Sequence, residues 1–515
     1  MRTVSLAGVL AASGLFGGLF GGLFEREGIP ESVHCHPELW CDDVACTRVC
    51  GRGTVIVPEW IDSAHRLQHL LSSSLPLCRA SLLGSHNSAI TLADGYGNQD
   101  GFFSGLLKYA TEWLAPEGTE LTIRTNDQYF SLTDQLNMGV RMVELDTHYV
   151  LGELRIAHCG GLHLDALNKL VEALNYVAKT LGFDVRWDTE TVGCNPSLSS
   201  IPAASQRLLR DALGEIKAWM DEARNVREFL IVYLDDEPDL LDWGVVPELV
   251  AAVRDAFPDD RVFKPPDRAA AASPDAGWPT MGELLDAGFR VMFVSSSDYG
   301  TEMEPYVFAR GAVCNWQEPS LADIDASSCA GTARFPDGTL LRTPSCEIQY
   351  GPLNCDFAMR NENSPVLDEA SLPGVLACGL NVPAPDLLTP QRAAAAVWTW
   401  APGYPPSHPT GCDDVAYVAA SDGRWRTATS GASCADLVRL PLACRVLESP
   451  LSRPSWLLVE SPGVCPNGTV GGPPRYPREN LALVTKVRSG SHHGARIHVS
   501  HVSHVSHVSH VSHHL

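Results

Sequence analysis

"GVRMVELDTHYVLGELRIAHCGG", residues 139–161, decides how this chain is read. Its first half is an apolar, β-branched run interrupted by charge, which predicts a strand. Residues two apart on a strand share a face, so Glu144 and Asp146 stand side by side while Val143 and Leu145 point the other way. Two carboxylates at the end of an apolar strand are costly unless a cation or a shared proton relieves them. "LRIAH" then predicts a second strand, ending at His158.

The same pattern recurs on both sides. "SLLGSHNSAI", residues 81–90, closes an apolar run with His86 and Asn87. Taken alone, such residues commonly do no more than end a strand in a turn. "FLIVYLDDEPDL", residues 229–240, ends in Asp235, Asp236 and Glu237. "RASLLGSH", "GFRVMFVSSS" and "AAAAVWTWAPG" add further strand candidates. Helical patterns lie between, "HLDALNKLVEALNYVAKTL" and "SQRLLRDALGEIKAWMDEARN" among them. In the latter, Leu209, Leu213, Ile216 and Met220 recur at three and four residues. Strand–helix alternation implies a parallel sheet. With this many units, and no G-x-G-x-x-G after a strand, a closed TIM-type (β/α) barrel is expected rather than a dinucleotide fold. A barrel brings the C-terminal ends of its strands to one rim, where catalysis sits. His86, Asn87, Glu144, Asp146, His158 and Asp235 all fall at or near such ends.

The 515 residues suffice for more than one folded unit, and 45% apolar with 19% charged residues is a globular composition. A net charge of −23 disfavours nucleic acid and anionic membrane as general partners. Residues 1–24 carry Arg2 and then an uncharged run to Phe24, the outline of a secretory signal or, being long, of an anchor. Sixteen cysteines without paired C-x-x-C units point to disulfides rather than zinc, and so to a secreted protein. Asn467 in "NGT" is a candidate glycosylation site. The expected order is a Cys-rich segment (25–77), the barrel (78–405), a small Cys-rich module (406–485) and a disordered, low-complexity His-rich tail (486–515), and a monomer is expected.

The rim set suits phosphodiester cleavage. Oxygen donors from Asn87, Glu144, Asp146 and Asp235 fit a hard cation, Ca2+ or Mg2+. Two histidines, His86 and His158, can stabilise the transition state and protonate a leaving oxygen. "GSHNS", then "DQLNMGVRMVELD", then "LRIAH" resembles the X region of phosphatidylinositol-specific phospholipase C, in its secreted X-domain-only form. "LIVYLD" and "WPTMGELLDAGFRVMFVSSSDYG" extend the resemblance over roughly residues 78–405. It implies an α/β barrel of the phospholipase C-like phosphodiesterase kind, to which the cysteine pattern adds small Cys-rich segments at both ends. It also implies His86 as stabiliser of the phosphorane, His158 as general acid, and Asn87, Glu144, Asp146 and Asp235 as calcium ligands. The base would be one of the carboxylates or His86 itself. Asp235 departs from the glutamate usual there in calcium-dependent members.

Other departures narrow the substrate. The stretch between His86 and Glu144 is long for the family, and its "GFFSGLLKYATEW" offers an apolar face for transient membrane contact or for packing. No Lys/Arg cluster suits a polyphosphorylated headgroup, and Lys264 in "RVFKPPD" is either a phosphate contact or, as exposed lysines commonly are, an ordinary loop residue. Phosphatidylinositol, a glycosylated form of it or another extracellular phosphodiester is the implied substrate. A glycerophosphodiester or sphingomyelinase D-type enzyme is the alternative, although its first motif usually reads His-Arg. A non-catalytic extracellular binding protein is the third reading, since "DGRWRTATSGASCADLVRLPLACR" resembles a lectin-like module or a structural cap.

Overall fold

A computed structural model describes residues 24–43, 45–98, 126–157, 203–236, 239–271, 277–345, 365–404, 416–427, 440–447, 454–460, 463–489 and 496–499. It also describes residue 201 and scattered positions within 169–182 and 349–354. The fold is mixed α/β around a parallel sheet. Strands Leu83–Ser85, Val140–Val150, Leu230–Asp236, Val291–Ser295 and Val307–Ala309 lie in that order, each pair parallel. A second parallel pair, Arg342–Pro344 with Val382–Ala384, stands beside the first strand. Backbone bonds join them: Leu82 N–H donates to Asn381 O at 2.9 Å. The approach is close enough that a Cβ on Gly84 would meet Val382 Cγ1 at 3.0 Å. On the far side, Gln317 bridges to Leu341. Among the described residues these strands do not form one continuous closed ladder, so the structure shows a parallel α/β sheet and not the full barrel.

Side-chain alternation sorts two cores. From the Val140–Val150 strand, Val143 and Leu145 join Leu209, Leu213 and Ile216 of the Leu209–Asp221 helix. Each such buried side chain contributes roughly 1.5–3 kcal/mol. The helix therefore forms where the three- and four-residue apolar spacing places it. Met142 points the other way and packs with Ile231, Tyr233, Met292, Phe308 and Val382. Glu144 and Asp146 share the Met142 face, one and two layers further along, where the apolar filling gives way to charge.

Three expectations change. Glu153–Ile156 pairs antiparallel with the second half of the Val140–Val150 strand, so "LRIAH" is the return arm of a hairpin and not a separate parallel strand. "AAAAVW" opens with a helix, Pro390–Ala395, because Thr389 caps Arg392 N–H at 3.2 Å and Pro390 occupies the first turn. The Trp398–Trp400 stretch then runs to a six-stranded sheet built from residues 416–499, where Trp400 bridges to Trp425. Two elements extend past residue 486: the Pro477–Ser489 helix and the Arg496–Val499 strand, which pairs with Ala416–Ala419.

Five disulfides lie among the described residues: Cys35–Cys50, Cys41–Cys46, Cys78–Cys314, Cys329–Cys378 and Cys444–Cys465. Bonds of this number persist in oxidising compartments. No described helix is long and apolar enough to cross a membrane. The signal-or-anchor segment up to residue 23, the "GFFSGLLKYATEW" stretch and the tail from residue 500 lie outside the described residues; of the helix expected over 163–181 only scattered positions from 169 onward are described, and those up to 180 are helical.

Candidate active site

His86 follows the short Leu83–Ser85 strand, and its Nδ1 lies 2.7 Å from Asp386 Oδ1. Asp386 is fully buried and comes just after the Val382–Ala384 strand, next to the first strand in space. Gln128 fixes the junction: its amide donates to His86 O at 2.7 Å and to Pro385 O at 3.0 Å. Burial disfavours a charged ring, but Asp386, Glu144 and Asp127 outweigh it and His86 is pushed up to about 10. At neutral pH the ring is therefore a cation carrying a proton on each nitrogen, with Nδ1 donating to Asp386.

Asn87 takes a left-handed backbone conformation, φ 42°, one of the few that asparagine tolerates better than most side chains. This turns its N–H to Glu144 Oε2 at 3.1 Å and its amide Nδ2 to Asp127 Oδ2 at 3.1 Å. Asn87 does close the strand, since its carbonyl accepts from Ile90 N–H at 2.9 Å. The same turn packs it against two carboxylates.

The parallel register sets Asp146 directly beside Asp235, and Glu144 beside Tyr233. One oxygen from each of Glu144, Asp146 and Asp235 lies within 4.8 Å of the others. Glu144 and Asp146 are buried and Asp235 is exposed, so the group opens to solvent on one side. Burial and the charges of Glu144 and Asp235 hold Asp146 well above the usual carboxylate range. Burial also raises Glu144, with Arg342 pulling the other way. Arg342, from the Arg342–Pro344 strand, pairs with Glu144 Oε2 and with Glu318 Oε1 at 2.8 Å, its guanidinium 4.8 Å from the Tyr233 ring.

A hard cation fits this donor set. Ca2+ binds oxygens at about 2.3–2.6 Å, so two ligands on opposite sides of it stand roughly 4.8 Å apart. The oxygens of Glu144, Asp146 and Asp235 fall inside that span, and the exposed Asp235 leaves one side open to solvent. With Oε2 engaged by Arg342 and the Asn87 N–H, Glu144 has its other oxygen left to offer.

The structure thus brings together His86, Asn87, Glu144, Asp146 and Asp235. His158 lies outside the described residues; Ala157 before it donates its N–H to the Asp146 carbonyl at 3.1 Å. Lys264 is not brought to this group. Phe263 beside it bonds to Val291 at the start of its strand, the end opposite Asp235, and Lys264 Nζ pairs with Asp259 at 2.9 Å and faces the Tyr306 ring. Sequence reading missed Asp386, Asp127, Arg342 and Glu318. Arg342 sits on "LLRTP" and Asp386 just after the strand of "NVPAPD", strands too short and proline-bearing for alternation to reveal.

No family model matches the chain. Two uncharacterized Mycobacterium tuberculosis proteins, MT2135 and Rv2075c from different strains, are each 23% identical over 412 residues, covering 75% of this chain and 68% of the relative. Among solved structures, a calcium-dependent phosphoinositol-specific phospholipase C from Pseudomonas sp. is similar at 14% identity and a TM-score of 0.31, over 63% of this chain and 93% of that one. Phosphatidylinositol-specific phospholipase C from Listeria monocytogenes is similar at 12% identity and 0.33, over 64% and 97%. Likeness at this distance assigns no chemistry, which must come from the side chains themselves.

Proposed function

We propose that the protein is a secreted phosphodiesterase of the phospholipase C type, acting as a monomer on phosphatidylinositol or a related phosphodiester. The supporting observation is the imidazolium of His86, held by Asp386, beside an open-sided group of three carboxylates and Asn87. On this reading the parallel strands are those of a phospholipase C-like barrel, and segments 25–77 and 406–485 are additions to it.

A hard cation held by Asn87, Glu144, Asp146 and Asp235 would supply positive charge to a phosphate oxygen and acidify a neighbouring hydroxyl. His86, already protonated, donates to a non-bridging oxygen whose charge grows in the transition state. It is therefore not the base in this protonation state. That task falls to a carboxylate of the group, which takes the proton of a headgroup hydroxyl. The hydroxyl oxygen bonds to phosphorus, the bond to the leaving alcohol breaks, and His158 gives that alcohol its proton. The products are a cyclic phosphodiester and a free alcohol.

The test is to incubate the purified protein with phosphatidylinositol, a lysophospholipid and sphingomyelin, with calcium or with chelator, and to identify the phosphorus products. Calcium-dependent formation of a cyclic inositol phosphate and diacylglycerol is the expected result. Release of a free headgroup alcohol, leaving phosphate on the lipid, would point to the phospholipase D class and overturn the proposal.

A further inference from the structure

Asn87 raises a problem that a carboxylate would not. Its carboxamide has one end that binds a cation and one end that repels it, and the two ends have nearly the same shape. Something must decide which end faces the carboxylate group. Among the described residues, the side-chain amide of Asn87 donates to Asp127 Oδ2, at 3.1 Å. An ionised carboxylate only accepts, so this contact requires the N–H2 end at Asp127 and turns the oxygen away from it.

Asp127 is built to hold that position. It is buried, as is Asn87. Its N–H donates to Ile90 O at 3.0 Å, within the turn that begins at Asn87. Its carbonyl accepts from Leu387 N–H at 2.7 Å, next to Asp386. The residue is thus pinned at both backbone ends, between the loop carrying His86 and the loop carrying Asp386. It is not one of the three carboxylates whose oxygens converge; it groups instead with His86 and Asp386.

We infer that Asp127 is a positioning residue whose carboxylate fixes the flip of the Asn87 carboxamide and so presents Asn87 Oδ1 to a divalent cation. The inference rests on the cation reading above. Groups that orient a metal ligand through a hydrogen bond typically change metal affinity by about 10–100-fold when lost.

The experiment is a calcium titration of the full chain, by calorimetry and by thermal shift, on four proteins: wild type, Asp127→Asn, Asn87→Gly and the double variant. Asparagine at 127 keeps shape and hydrogen bonding but can present either end to Asn87, so the direction is lost. Glycine at 87 tolerates the left-handed backbone and leaves no amide to aim. Asp127→Asn should weaken calcium binding about 10–100-fold in the wild-type background and cause no further loss in the Asn87→Gly background. Equal losses in both backgrounds would make Asp127 merely a nearby negative charge and overturn the inference. Unchanged affinity in Asp127→Asn would overturn it as well. A wild-type protein that binds no calcium would overturn the cation reading itself, and this inference with it.

Discussion

His86 Nδ1 and Asp386 Oδ1 are 2.7 Å apart, although 300 residues separate them in the chain. The contact exists because the Val382–Ala384 strand lies alongside Leu83–Ser85, so their following residues meet. If the dyad carries the proposed chemistry, His86→Ala should reduce turnover about 10²–10⁴-fold with the fold intact. Asp386→Asn should lower kcat far more than it changes KM, because it alters the charge and orientation of the ring without touching the substrate. Steady-state kinetics on phosphatidylinositol, with circular dichroism as the folding control, measure both. Normal turnover in folded His86→Ala would remove it from the mechanism.

The same pair predicts a pH dependence of stability. An unfolded histidine releases its proton near 6.5, whereas folded His86 holds it up to about 10. Between these values the folded state binds more protons, so stability falls as pH rises through that window. Below it, the contribution is fully present. In chelator, wild type should lose melting temperature from pH 6.5 to 10 more steeply than Asp386→Asn. Parallel curves would show that the pair holds no extra proton.

The helix at Leu209–Asp221 and the strands around Glu144 and Asp235 were legible because their apolar periods run long enough to outweigh local noise. Asn87, Glu144, Asp146 and Asp235 were legible because each polar residue interrupts an apolar run at its end. The hairpin return at Glu153–Ile156 was not, since pattern marks a strand but not its direction. Nor was the partner of His86. Asp386 acquires meaning only when two strands distant in the chain come side by side, and the sequence around it reads as a proline-rich loop. Arg342 was hidden likewise, on a three-residue strand whose last residue is proline.

The carboxylate group carries its own prediction. Asp146 is held well above the usual range by burial and by Glu144 and Asp235, so ionising it costs the folded state free energy. Folding then binds protons, and stability falls as pH rises above the ordinary carboxylate range. Asp146→Asn removes that cost. It should raise the melting temperature of the calcium-free protein at neutral pH. It should also lose most of the stabilisation that calcium gives wild type. Thermal melts in chelator and in calcium read both effects, and a destabilised variant that still responds fully to calcium would exclude Asp146 as a ligand.

Arg342 is the fixed positive charge of the site, buried between Glu144 and Glu318. Burial works against its charge, but the two carboxylates hold its proton more firmly than in water, and Arg342 in turn holds Glu318 below its usual range against the effect of burial. Removing one partner of a buried pair leaves the other uncompensated, at a cost of about 3–5 kcal/mol. Arg342→Leu should therefore lower stability by that order, read from denaturant melts in chelator. Calcium should recover part of the loss by giving Glu144 a second cation, with about 2.7 kcal/mol available at a hundredfold excess over Kd. Adding Glu144→Gln should recover part of it without calcium, because the stranded charge is gone. The sum of the two single losses should then exceed the loss in the double variant. Additive losses would mean that Arg342 acts through Glu318 and the Tyr233 ring instead, and that Glu144 depends on its other neighbours.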